Sequence, residues 1–324
     1  MTFSDSDPVR MRRRCLFVFL AFVLCAAVGR SQAAPPPPAP APWTLQVPVN
    51  EIALTFHAAA GNGAPLTHLT RDQLTLTDNG RRQSQIVFLH NYDDLPIRAG
   101  FLFDTSASML GDLPFNRAII HAYAAQLLRK GYDRAFVEQF DTKTFIRQNW
   151  TDSDAAIAAG AASVGNTPDR YDPLTAIFDS LYTTCRDQWQ QDPATPTGNF
   201  ILLFTDGLDD ASHAYLSEAV DMCQRTRTAI YAIVRGRSGQ FSDGYRTLQD
   251  LTRQTGGRLF LNPHGSQILA DLRIMESEQR NQYRLVYKPS DFNADSSFHR
   301  IRLRCSVQGA HITARSGYYA FPRP

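Results

Sequence analysis

The chain has 324 residues, 43% apolar and 20% charged, which is long enough for two domains and ordinary for a globular protein. Its formal charge of +2 comes from 33 basic and 31 acidic side chains; five arginines (Arg10, Arg12, Arg13, Arg14, Arg30) and two aspartates (Asp5, Asp7) fall in the first 33 residues. Without that stretch 28 basic groups face 29 acidic ones, a net charge of −1 with no long Lys/Arg run, which excludes the electrostatic footprint of a nucleic-acid binder.

Residues 1–33 have the layout of an export signal: a positive region at 10–14, an apolar run at 15–28, and Ser31-Gln32-Ala33 as a small-residue cleavage site. The run is short for a membrane span, so an uncleaved N-terminal anchor is the competing reading and the only route to membrane association. A lipid anchor fits less well, because Cys25 follows Leu24 where a small residue is expected. The expected location is outside the cytoplasm: periplasmic, cell-surface or secreted. Loss of the signal removes Cys15 and Cys25, leaving Cys185, Cys223 and Cys305, an odd and widely spaced set that makes no disulfide framework or paired metal motif. They read first as small buried hydrophobes, with a Cys185–Cys223 bridge as the alternative.

Residues 34–42 are almost entirely Pro and Ala, a composition that favours extended polyproline II and buries no core, so they read as a spacer. An N-terminal β segment is expected over 43–96, where Ile52, Leu54 and Phe56, then Leu74 and Leu76, then Ile86 and Phe88 alternate. Gly61-Asn62-Gly63 and Asp78-Asn79-Gly80 mark turns between them. Over 97–281 apolar strands alternate with amphipathic helices, the pattern of a doubly wound, mostly parallel α/β sheet covered on both faces. Strands are expected at 99–104, 134–140, 144–150, 200–205, 229–234 and 258–261. Helices are expected at 115–129, 153–162, 173–190, 210–225, 245–255 and 266–280. A C-terminal β segment, 282–324, supplies strands at 283–287, 299–307 and 312–319. The two flanking β segments are expected to pack as one small β-sandwich.

One predicted strand ends in Phe103-Asp104-Thr105-Ser106-Ala107-Ser108, and a second in Phe204-Thr205-Asp206-Gly207. Between them Asp172-Pro173-Leu174-Thr175 opens a helix with a hydroxyl in its first turn. Ligands of doubly wound sheets collect at the carboxyl ends of strands where the order reverses. Asp104, Ser106, Ser108, Thr175 and Asp206 form an oxygen-only donor set, which suits Mg²⁺, with Mn²⁺ or Ca²⁺ possible, and does not suit zinc. Direct hydroxyl ligands with aspartates acting partly through water leave such an ion much of its charge and an open position for a partner's carboxylate. Asp210 reads as a helix N-cap.

The segment Asp104-Thr105-Ser106-Ala107-Ser108 resembles the Asp-x-Ser-x-Ser motif of von Willebrand factor A domains, which works with a later Thr and Asp. The resemblance implies a metal-ion-dependent adhesion site at Asp104, Ser106, Ser108, Thr175 and Asp206. It is closer still to the bacterial VWFA-related domain proteins, through 69–80 before the sheet and 298–303 and 315–319 after it, and so covers nearly the whole mature chain. Ala107 stands where many members have Gly, and Leu174 where a Gly commonly precedes the Thr. A methyl at 107 is tolerated provided that its backbone needs no positive φ.

The expectation is a non-enzymatic, exported adhesion-type protein whose metal site binds an acidic residue of a protein partner. The alternatives are a structural periplasmic or cell-surface protein with a fold-stabilising metal, and an exported metal-dependent hydrolase. The last lacks an evident general base, a Gly-x-Ser-x-Gly elbow and a His-Glu-x-x-His motif. His299, between apolar strand positions, reads as a satisfied core or surface histidine rather than a ligand.

Overall fold

A computed structural model describes residues 50–165, 174–189, 195–235 and 242–322. The expected signal and spacer, and residues 173 and 190 of the expected third helix, lie outside the described residues. The chain order is β1 (Ile52–Ala59), β2 (Leu74–Asp78), β3 (Arg81–Gln83), β4 (Ile86–Tyr92), β5 (Ile97–Asp104), α1 (Leu113–Gln126), β6 (Arg134–Phe140), β7 (Thr144–Thr151), α2 (Asp154–Ser163), α3 (Ile177–Gln188) and β8 (Gly198–Phe204). It continues through α4 (Leu216–Arg225), β9 (Thr228–Val234), α5 (Asp243–Thr255), β10 (Leu259–Leu261), α6 (Gly265–Arg280), β11 (Gln282–Tyr287), β12 (Phe298–Cys305), β13 (His311–Ala314) and β14 (Gly317–Tyr319).

The central sheet has the order β10-β9-β8-β5-β6-β7, parallel except for the antiparallel edge strand β7. This is a doubly wound, mostly parallel α/β architecture, and its order reverses between β5 and β8. Both strands are buried on both faces, which is why they read as unbroken apolar runs. Phe101, Phe103, Phe200 and Phe204 pack on one face with Ile120 and Tyr123 of α1, Ile157 of α2 and Leu272 of α6. Leu102, Ile201 and Leu203 pack on the other with Leu181, Val220 and Leu248 of α3, α4 and α5. Each large side chain so buried contributes about 1.5–3 kcal/mol by area removed from water.

Two further antiparallel sheets, β13-β1-β11-β4 and β14-β12-β2-β3, interleave strands from before and after the central sheet. They share one apolar cluster that includes Leu54, Phe56, Leu76, Leu285 and Ile301. Asn79 and Gly80, both at positive φ, make the two-residue turn between β2 and β3. Asp78 is buried and accepts hydrogen bonds from the hydroxyls of Tyr287 (2.8 Å) and Tyr318 (3.0 Å). His299 is buried beside it, 3.3 Å from Asp78 and 3.2 Å from the Tyr318 hydroxyl, a satisfied core histidine.

Several expected elements differ from the observed ones. The run 312–319 is two strands, β13 and β14, which belong to different sheets. Phe88 is exposed rather than inward, because a bulge where β4 pairs with β11 shifts the alternation so that Leu89 faces the apolar cluster. Cys185 and Cys223 are not merely buried hydrophobes: they form a disulfide joining α3 to α4, with Cα atoms 5.1 Å apart. Cys305 is free. No helix of the described residues is long and apolar enough to cross a membrane.

Candidate metal centre

The last residue of β5 is Asp104, and Asp206 comes two residues after β8 ends, so both carboxylates stand at the crevice where the strand order reverses. Asp104 is fully buried (0% exposed). Its Oδ1 accepts the Ser106 amide at 2.9 Å and its Oδ2 accepts the Thr205 hydroxyl at 2.6 Å. The Ser106 and Ser108 hydroxyls lie 3.4 Å apart. Ser106 is buried and Ser108 exposed, so the cluster opens outward.

Thr175 is also buried and precedes α3 instead of lying in its first turn. Its backbone is clamped on both sides: the Thr175 amide donates to Asp210 Oδ1 at 2.7 Å, and the Asp210 amide donates back to the Thr175 carbonyl at 3.0 Å. The next residue, Ala176, donates its amide to the Asp141 carbonyl at 2.9 Å, while Thr105 donates its amide to the Phe140 carbonyl at 2.8 Å. These backbone bonds tie the Thr175 segment to the Asp206–Asp210 loop and to the end of β6, which also anchors the Asp104 loop.

The helix expected from 210 begins only at Leu216, and Asp210 is not its cap. The intervening residues serve α3 instead. Asp209 Oδ1 accepts the Ile177 amide at 2.7 Å and Ser212 Oγ accepts the Phe178 amide at 3.0 Å, satisfying free donors of the α3 first turn. In return Asp179 accepts the Ala214 amide at 2.7 Å.

Two glycines set the position of Asp206. Gly207 has φ +84, and a Cβ there would meet the Gly244 carbonyl oxygen at 2.3 Å; a Cβ on Gly244 would meet the Asp206 carbonyl oxygen at 2.3 Å. The loop after β8 thus lies directly against the first turn of α5. Ala107 begins a short 3-10 turn over Ala107–Asp112 with no positive φ, so a glycine is not required there.

Charge sets this cluster apart. Burial pushes the Asp104 carboxyl up to about 6; the bonds from Ser106 and Thr205 pull it down, and the nearby charge of Asp206 raises it further. No cation is among the groups acting on it. A buried carboxylate beside a second carboxylate, ringed by hydroxyls and lacking a counter-charge, fits a hard divalent cation. Among the described residues no three His, Cys, Asp or Glu side chains are grouped so as to hold a metal. Any ion here would depend on Asp104 and Asp206 with the hydroxyls of Ser106, Ser108 and Thr175.

Thr205 was not singled out from the sequence, although it holds Asp104 and also accepts the Gly207 amide at 3.2 Å. Its signal was its place at a strand end, directly before Asp206. Asp209 had no comparable signal, since its partners lie on a different helix.

No family model and no curated protein matches the chain. Among solved structures it is similar to proximal thread matrix protein 1 from the mussel byssus, whose structure has a zinc-occupied MIDAS motif, at 17% identity and TM-score 0.48, covering 62% of this chain and 50% of that one. It is similar to the conserved hypothetical protein BatB from Bacteroides thetaiotaomicron at 15% identity and TM-score 0.45, covering 56% and 98%. It is similar also to an aerotolerance-related membrane protein from Bacteroides fragilis at 14% identity and TM-score 0.44, covering 56% and 99%. The chain spans half the length of the mussel protein.

Proposed function

We propose that Asp104, Ser106, Ser108, Thr175 and Asp206 hold a Mg-type divalent cation, and that the protein is an exported, non-enzymatic binding protein that recognises an acidic group of a protein partner there. The observation that carries this reading is the Asp104 carboxylate, fully buried among oxygen donors with no cation to balance it. When bound, the ion supplies positive charge and an open coordination position for a partner's carboxylate. The chain's own residues do the rest. Thr205 and the Ser106 amide fix the orientation of Asp104, and Asp210 fixes the Thr175 backbone.

Exposed apolar side chains on the same loops support a protein as partner. Leu174 (44% exposed) adjoins Thr175, Leu208 (53%) donates its amide to Asp206 Oδ1 at 3.1 Å, and Tyr215 (74%) ends the loop after Asp206. A polar centre rimmed by apolar groups suits a protein surface bearing one anchoring acid. The Cys185–Cys223 disulfide supports export, because such bonds persist in oxidising compartments.

The test loads the full chain with Mn²⁺ and follows the paramagnetic relaxation of acetate protons. Faster relaxation in wild type, abolished in Asp104→Asn, is the expected result. Tight Mn²⁺ binding with no effect on acetate would make the metal structural and sink the recognition mechanism.

A further inference from the structure

At the amino-end side of the central sheet, a cleft of about 480 Å³ lies between the outer face of sheet β13-β1-β11-β4 and the ends of α4 and α5. Its size falls in the range of small-molecule sites, roughly 300–1,000 Å³. Thr55 and Arg284 are paired across β1 and β11, so both look into the cleft while Leu54 and Leu285 face the apolar cluster. Thr313 and Arg227 complete this part of the lining.

Arg227 occupies an unusual position. The C-terminus of α4 closes with the Thr226 amide on the Met222 carbonyl (3.2 Å) and the Arg227 amide on the Gln224 carbonyl (3.1 Å), and Arg227 takes the left-handed conformation with φ 57. Glycine is the favoured residue at such a helix end, because a Cβ is strained there. The neighbouring helix α5 obeys that preference: it ends at Gly256, φ 91, which lines the same cleft. Arginine at 227 therefore stands against the local backbone preference, which points to a role for the side chain.

That side chain has no carboxylate partner among the described residues, and neither has Arg284. The acids of the cleft are engaged elsewhere: Asp221 with Arg225 at 2.6 Å, Glu278 with Arg258, and Glu51 with Lys288 at 3.8 Å. Arg284 Nε is buried without an acceptor. Partial burial, and then the positive charge of Arg284, lower the pKa of Arg227, and both side chains belong to the lining of the one cleft. Paired guanidinium forks match the oxygens of phosphate and carboxylate, and partial desolvation strengthens the attraction.

We propose that this cleft is a binding site for a small oxyanionic ligand, whose phosphate or carboxylate group is held by Arg227 and Arg284. It is separate from the metal centre, which stands at the opposite, carboxyl ends of the strands, and it does not depend on that centre's function. The bound anion would supply the counter-charge that neither arginine has among the described residues, with Thr55 beside Arg284 in the lining.

The test titrates the full chain with inorganic phosphate and, separately, with succinate at constant ionic strength, using wild type, Arg284→Gln and Arg227→Gly. Saturable binding of at least one anion in the millimolar range or tighter, weakened at least about tenfold in both variants, is the expected result. Binding of only phosphate or only succinate then identifies the group recognised. Thermal melting gives an independent readout. Without anion, Arg227→Gly is expected to melt above wild type, because glycine relieves the left-handed backbone, and the anion should no longer raise its melting temperature. Absence of saturable binding by either anion, unchanged binding in Arg284→Gln, or an Arg227→Gly variant that melts below wild type would overturn the proposal.

Discussion

The two ends of the central sheet each bury an aspartate completely, and they treat its charge in opposite ways. At the amino ends Asp133 receives both guanidinium nitrogens of Arg280 (2.9 and 2.6 Å) and the amides of Ile97 (2.9 Å) and Arg129 (2.8 Å). Burial raises its pKa, but these partners outweigh burial and the net shift is downward. Arg280 also bonds Glu276 and the Leu95 carbonyl, so the cluster joins the chain's entry into the central sheet to its exit from α6. At the carboxyl ends Asp104 has hydroxyl and amide partners only, and its pKa is pushed up to about 6. A buried carboxylate paired with arginine is a finished support, while one left without a cation is where the proposed metal would supply the balancing charge.

The strongest way to break the comparison is Asp133→Ala, which takes from buried Arg280 one of its two carboxylate partners. It should lower unfolding free energy by about 3–5 kcal/mol in denaturant titrations. Because the folded-state pKa of Asp133 is depressed, its contribution is present above the unfolded value near 3.8 and is lost as pH falls through the lower folded value. In metal-free protein Asp104→Asn should instead leave stability unchanged or raise it, on the order of 1–3 kcal/mol, since it removes an uncompensated buried charge. A destabilised Asp104→Asn would show that Asp104 is as structural as Asp133.

Removing the disulfide with Cys185→Ser and Cys223→Ser should cost about 2–4 kcal/mol, as the closed loop spans 38 residues. The same unfolding measurement reads it.

Glu138 sharpens the comparison as a third buried carboxylate. It accepts the Thr184 hydroxyl at 2.8 Å, and burial, reinforced by the charge of Asp187, raises it to about 7. Its raised folded pKa makes its contribution greatest below the unfolded value near 4.5 and progressively lost as pH rises through about 7. Glu138→Gln should flatten that loss and stabilise the protein above pH 7 by on the order of 1–3 kcal/mol. It should leave metal uptake intact, because Glu138 is outside the oxygen cluster. The smallest expected effect is that of Leu208→Ser, within about 0.5 kcal/mol in stability and without change in metal affinity.

The central sheet was readable because strands buried on both faces demand continuous apolar sequence, and the runs ending at Asp104 and Thr205 supply it. Asp104 and Asp206 were placed at strand ends by the sequence, whereas Thr175 was expected inside the first turn of a helix that begins only at Ile177. What escaped depends on contacts between segments far apart in sequence. Thr205 bonds Asp104 across the β5–β8 crevice, and Asp209 caps a helix that begins 32 residues earlier. Residues 210–215 carry no helix breaker, yet their polar groups serve α3, so α4 starts late. The bulge at β4 and the change of sheet between β13 and β14 leave no mark in the alternation of apolar residues. The disulfide needed the packing of α3 on α4 to become visible.

The most direct test of the contrast between the two aspartates is calorimetric titration of the full chain with Mg²⁺ and Mn²⁺, beside Asp104→Asn and Asp206→Asn. One saturable site, lost in both variants while they remain folded, is the predicted result. A folded wild type that takes up neither ion, or an Asp104→Asn variant that binds as well as wild type, would contradict the claim that the carboxyl-end cluster is built to receive a cation.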